Sequence, residues 1–130
     1  MLRIIDATEY RFAVPGRAKS FRSPVAFLYK RKVRDVFHKS IDIEPLDVAL
    51  EFRLDYFHRH RRLFDMDNIA KCVMDALNGL AYVDDRLVSL QSARAYDLTR
   101  RVNIPGGPVD LIKPLMDYEE YLFARIRVVD

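Results

Sequence analysis

Residues 47–60 read D-V-A-L-E-F-R-L-D-Y-F-H-R-H, and this stretch constrains the fold more than any other. Val48, Leu50, Phe52, Leu54 and Tyr56 fall on one side, with Glu51, Arg53 and Asp55 on the other. A period of two cannot sit on a helix, whose same-face residues recur every three or four positions. It predicts a long strand with one face on a core and the other wet. The remaining elements have to be arranged around a sheet.

Three further strands are expected. In residues 9–14, Tyr10, Phe12 and Val14 alternate before the Pro15-Gly16 turn signal. Residues 87–96 read as a strand with Val88 and Leu90 inward, and 121–129 set Ala124, Ile126 and Val128 against Arg125 and Arg127. Two principal helices are expected between them. The first takes Ser23 as N-cap and Pro24 at its first position, with Val25, Leu28, Tyr29, Val33, Val36 and Phe37 at helical spacing. The second is capped by Asp67 or Asn68, runs to Asn78 and stops at Gly79, burying Ile69, Val73, Ala76, Leu77 and Leu80. The predicted fold class is α+β, a small mixed or antiparallel sheet of about four strands with two principal helices.

Half of the 130 residues are apolar, enough for one hydrophobic core, so a single domain over 1–130 is expected. Residues 97–120 form a long connection, with Arg100-Arg101, a Pro-Gly-Gly-Pro turn at 105–108 and a short helix near 113–118. Such connections are usually functional or mobile.

Lys and Arg number 22 against 19 Asp and Glu, a net charge of +3 that matters only through clustering. Arg17, Lys19 and Arg22 share one predicted loop, Lys30, Arg31, Lys32 and Arg34 follow, and His58-Arg59-His60-Arg61-Arg62 precedes an acidic segment. That placement suits a polyanion. His58 and His60 are read as solvent or phosphate contacts, because no third zinc ligand accompanies them. The lone Cys72 excludes an internal disulfide and reads as a small buried thiol. No apolar run reaches the ~20 residues that span a bilayer, and Asp6 and Glu9 interrupt the apolar start, so a cytoplasmic location is expected.

The segment F-D-M-D-N-I-A-K-C-V-M-D-A-L-N-G-L-A-Y-V-D-D, residues 64–85, carries the chemistry. Asp67, Lys71, Asp75 and Asn78 line one helix face. Asp65 precedes them in extended chain, and Asp84-Asp85 opens the next strand. If that strand pairs beside the one leading to Asp65, three carboxylates converge. Hard oxygen ligands so arranged suit Mg²⁺ or Mn²⁺, and a lysine one helical turn away can steady charge on a phosphate. The rival reading is a surface helix with an Asp67–Lys71–Asp75 ion-pair ladder, worth ~0.3–0.5 kcal/mol per pair.

The pattern D-x-D-N-x-x-K-x-x-x-D-A-L, a Gly-containing spacer and Asp-Asp resembles the RusA family of Holliday junction resolvases. It stands here as Asp65-Met66-Asp67-Asn68, Lys71, Asp75-Ala76-Leu77-Asn78-Gly79 and Asp84-Asp85. The resemblance implies a small, dimeric, Mg²⁺-dependent endonuclease that cuts four-way DNA junctions by paired symmetric nicks in recombination and repair. It implies Asp65, Asp67 and Asp85 as metal-binding catalytic carboxylates, with Asp84 the alternate member of its pair, and Lys71 as the catalytic lysine. Arg17, Lys19, Arg22, Lys30, Arg59, Arg61 and Arg62 are the expected DNA contacts. Asp75 and Asn78 are given structural work, Asp75 by pairing with Lys71. Phe64 is assigned to the core, with a wedge against unstacked bases as its alternative. The same site acting on flaps, forks or single strands, and a junction-binding module without cleavage, are the competing functions.

Overall fold

The computed structural model describes residues 8–59, 64–104 and 109–129. In chain order it contains β1 (Glu9–Pro15), α1 (Ala26–Ser40), β2 (Leu50–His58), α2 (Met66–Leu77), β3 (Val88–Asp97), α3 (Val109–Ile112) and β4 (Tyr121–Val128). Short 3₁₀ turns occupy Asp85–Leu87 and Lys113–Met116. The strands form one sheet in the order β1-β4-β2-β3. β4 runs antiparallel to both β1 and β2, whereas β3 runs parallel to β2. A parallel pair needs a crossover, and α2 supplies it. The architecture is the expected α+β fold with a mixed four-stranded sheet.

One sheet face carries α1 and α2. Tyr56, Leu54, Phe52 and Leu50 of β2 stand in register with Leu122, Ala124, Ile126 and Val128 of β4, and Val14 and Phe12 extend the layer onto β1. Against it α1 buries Ala26, Tyr29, Val33 and Phe37, and α2 buries Ile69, Ala70, Val73, Ala76 and Leu77. Cys72 is buried among them, and burial pushes its thiol pKa up. Each large side chain buried here contributes on the order of 1.5–3 kcal/mol.

Four details depart from the sequence expectations. First, α1 starts at Ala26, with Val25 at its N-cap and no side-chain cap. Ser23 instead closes the preceding turn, its Oγ accepting from the Val25 N–H at 3.3 Å and its carbonyl from the Ala26 N–H at 3.1 Å. Leu28 is left half exposed.

Second, Leu90 faces solvent. The β2–β3 register shifts between Leu50↔Val88 and Glu51↔Leu90, so one extra β3 residue, Ser89, turns every later position over. The Ser89 hydroxyl donates to the Leu50 carbonyl at 3.1 Å within that irregularity.

Third, the second face of the sheet is wet only in part. Phe57, Tyr96, Tyr121 and Phe123 form a smaller core with Leu111 of α3, so the 97–120 connection covers this end of the sheet. Tyr121 Oη donates to the Leu111 carbonyl at 2.7 Å. Beside that core Asp55 is fully buried, and its Oδ2 accepts from Arg125 Nη2 at 2.7 Å with Arg53 Nε at 3.3 Å. The short helix expected near 113–118 is met by α3 and the following 3₁₀ turn; the Pro-Gly-Gly-Pro turn lies outside the described residues.

Fourth, His58 is a buried residue and not a solvent contact, because Phe64 packs across it at the last position of β2. The His58 ring lies 4.5 Å from Phe64, whose ring meets Tyr56 edge-on at 5.0 Å. Phe64 is partly buried and packs at the core boundary. His60, Arg61 and Arg62 lie outside the described residues.

Candidate functional site

The exposed side of α2 carries the residues of interest. Asp65 is the N-cap: its Oδ1 accepts from the Asn68 N–H at 3.3 Å and its Oδ2 from Asn68 Nδ2 at 2.5 Å. The cap thus falls on Asp65, not on Asp67 or Asn68. Asp67 occupies the first turn, where unpaired backbone N–H groups favour a negative charge. The helix ends at Leu77, and Gly79, at φ +79°, takes the left-handed conformation that lets the chain turn away.

The ion-pair ladder considered for this face is replaced by a different arrangement. Asp75 pairs with Lys30 of α1, Nζ to Oδ2, at 3.6 Å. Lys71 points instead over the ring of Phe21, its Nζ 4.2 Å from the centroid, with Lys30 Nζ 5.5 Å from the same ring. Phe21 is 41% exposed, and its N–H donates to the Asn68 carbonyl at 2.9 Å, tying the loop after β1 to the first turn of α2. Phe21 was not among the expected site residues. An aromatic set among Arg17, Lys19 and Arg22 is the signal that could have found it, since base-stacking surfaces interleave rings with cations.

Arg17 lies half exposed beside Glu120 at 3.7 Å, Arg22 and Arg59 are exposed, and Lys30 is held in its ion pair. Lys19 is half-buried in the same loop as Arg17.

The second acidic pair stands at the other end of α2. β3 does lie beside β2, but in parallel, so Val88 pairs with Leu50 at the start of β2, whereas Asp65 follows its far end. Asp84 caps the 3₁₀ turn, accepting from the Arg86 N–H at 2.9 Å, and that hydrogen bond, with the Arg86 side chain at 3.2 Å, holds its pKa down. Asp85 is shifted up, by partial burial first and then by the neighbouring Asp84 and Asp75. From Asp67 to Asp75 the helix rises about 12 Å. The aspartates thus form two groups, and among the described residues no three His, Cys, Asp or Glu side chains stand where they could share one metal ion. The expected convergence of three carboxylates does not occur within one chain.

The fold is a mixed four-stranded sheet backed by two helices, and the start of α2 brings a lysine and two aspartates beside a basic loop. Residues 3–105 match the model of the family described as Endodeoxyribonuclease RusA. The chain belongs to that family, and endodeoxyribonuclease chemistry comes with it. No curated protein matches the chain. Among the described residues no helix is long and apolar enough to cross a membrane.

Proposed function

We propose that this chain is a structure-selective endodeoxyribonuclease that resolves four-way DNA junctions by paired symmetric nicks, acting as a homodimer with Mg²⁺, or Mn²⁺, as its cation. The observation that carries this reading is the exposed α2 face, where Asp67 and Lys71 stand beside Phe21 and the basic loop, in a chain of the RusA family.

Water is the nucleophile, and no covalent intermediate is required. Lys71 meets the negative charge that grows on the phosphate oxygens as the water adds. Phe21 holds the Lys71 ammonium in place, since a cation above a ring is favoured by about 0.5–1 kcal/mol at exposed sites. Asp65 and Asp67 are the carboxylates at the reacting end; Asp85, which family resemblance adds to them, stands at the far end of α2 in the same chain. Arg17, Lys19, Arg22 and Arg59 neutralise backbone phosphates without reading sequence. A two-fold dimer matches two equivalent strands with two equivalent sites.

The separation of the two acidic groups favours a second reading, a protein that grips branched DNA and does not cut it. Labelled four-way junction, flap, fork and linear duplex, each with Mg²⁺, Mn²⁺ or chelator, separate the two. Paired metal-dependent nicks confined to the junction are expected. Cutting of flaps or forks instead would change the substrate, and tight binding with no cleavage under either metal would leave the binding protein.

A further inference from the structure

The loop from Gly16 to Phe21 is fastened from below by two buried polar side chains far apart in sequence. Tyr56 of β2 is fully buried, and Glu120, just before β4, is 8% exposed. Tyr56 Oη donates to Glu120 Oε2 and accepts from the Ala18 N–H at 3.2 Å. The Glu120 carbonyl accepts from the Gly16 N–H at 2.8 Å, and its carboxylate stands 3.7 Å from Arg17 Nε. Gly16, at φ +92°, passes so close to Lys32 that a Cβ would meet its Nζ at 2.8 Å. The other end of the loop is tied to α2 through Phe21.

Burying a carboxylate and a hydroxyl is costly unless both are paired, and apolar residues of similar volume would fill the same space without that cost. The pair therefore does little for stability that packing could not do. What it does uniquely is grip the backbone of a loop whose side chains are basic or aromatic. Glu120 also lies beyond the residues that the family model matches.

We propose that Tyr56 and Glu120 are positioning residues for DNA: they hold the loop so that Arg17 and Phe21 face the substrate beside Lys71, an inference that rests on the nuclease reading above. Neither touches DNA. Both act through the loop.

Tyr56→Phe tests this, because it keeps the ring against Phe64 and His58 and removes only the hydroxyl. In the free protein, amide exchange over 17–22 is expected to accelerate at least ~10-fold while β4 keeps its protection. Junction Kd rises about tenfold, and its salt dependence falls by about one phosphate contact. Because the effect runs through Arg17 and Phe21, adding Tyr56→Phe to the Arg17→Ala/Phe21→Ala variant costs no further affinity. Glu120→Gln keeps an acceptor for Tyr56 and is expected to retain the slow loop exchange, whereas Glu120→Ala removes it and is expected to accelerate exchange, which supplies the test if Tyr56→Phe does not fold; slow loop exchange in folded Glu120→Ala would sink the proposal. Unchanged loop exchange in Tyr56→Phe, or a further loss of affinity when it is added to Arg17→Ala/Phe21→Ala, would overturn it. Wild-type protein that neither binds nor cuts a junction would remove the nuclease reading instead, and the exchange measurement on free protein would still judge the positioning pair.

Discussion

The two ends of α2 carry aspartates in different physical situations. At the start, Asp65 is engaged by the Asn68 backbone and side chain, and Asp67 is exposed where the helix favours an anion. At the end, Asp85 crowds against Asp84 and Asp75, and its proton is held more tightly. The first arrangement ties a carboxylate into a helix cap; in the second, Asp84 is held by Arg86 while Asp85 gathers charge that an external cation would relieve. Sequence alone gives the two groups similar weight, but their surroundings assign them different costs and different responses to substitution.

Asp67→Asn is the hardest test of that contrast. Junction cleavage is expected to fall below detection while circular dichroism and Tm stay near wild type, since charge changes and volume does not. Nicking by the folded variant would take Asp67 out of the chemistry. Lys71→Ala comes next, with kcat lowered about 10²–10³-fold at nearly unchanged junction affinity. A loss seen only in affinity would make Lys71 one more phosphate contact.

Asp65 separates structural work from charge. Asp65→Ala removes the cap and is expected to cost about 1 kcal/mol in urea unfolding, whereas Asp65→Asn keeps a good capping side chain and loses much less. If both reduce cleavage equally, the charge is what matters there. Equal destabilisation by the two variants would refute the capping role.

The smallest effect is expected at Asp85. Its pKa is raised in the fold, so the native state carries a penalty that is present above the carboxylate range and disappears as pH falls through that pKa. Asp85→Asn should therefore raise stability at pH 7 by a few tenths of a kcal/mol, small because the group is open to solvent, with the gain closing toward pH 4. Thermal melts of both proteins at the two pH values check the sign.

Much of the fold is legible because local patterns suffice. The period-two run of β2, the helical spacing of Tyr29, Val33 and Phe37, and the Asn78-Gly79 stop all depend on neighbours within a few residues. Leu90 escapes because one extra residue at Ser89 reverses the facing of β3, and nothing around Ser89 announces the irregularity. His58 escapes because its burial depends on Phe64 folding back across it. The site is legible as a motif, and its partners are not: Lys71 meets Phe21 and Asp75 meets Lys30 across turns that only packing brings together.

The sequence by itself determined that a sheet forms, that Leu50, Phe52, Leu54 and Tyr56 share its buried face, and that the chain belongs to the RusA family, because periodicity and motif spacing are local properties. Only the tertiary structure decided that β4 enters between β1 and β2, that β3 lies parallel to β2, and hence that Asp85 stands at the opposite end of α2 from Asp65. Strand order and direction follow from hydrogen bonds and packing between residues up to a hundred or more positions apart, such as Glu9 with Arg127. No local pattern specifies those partners.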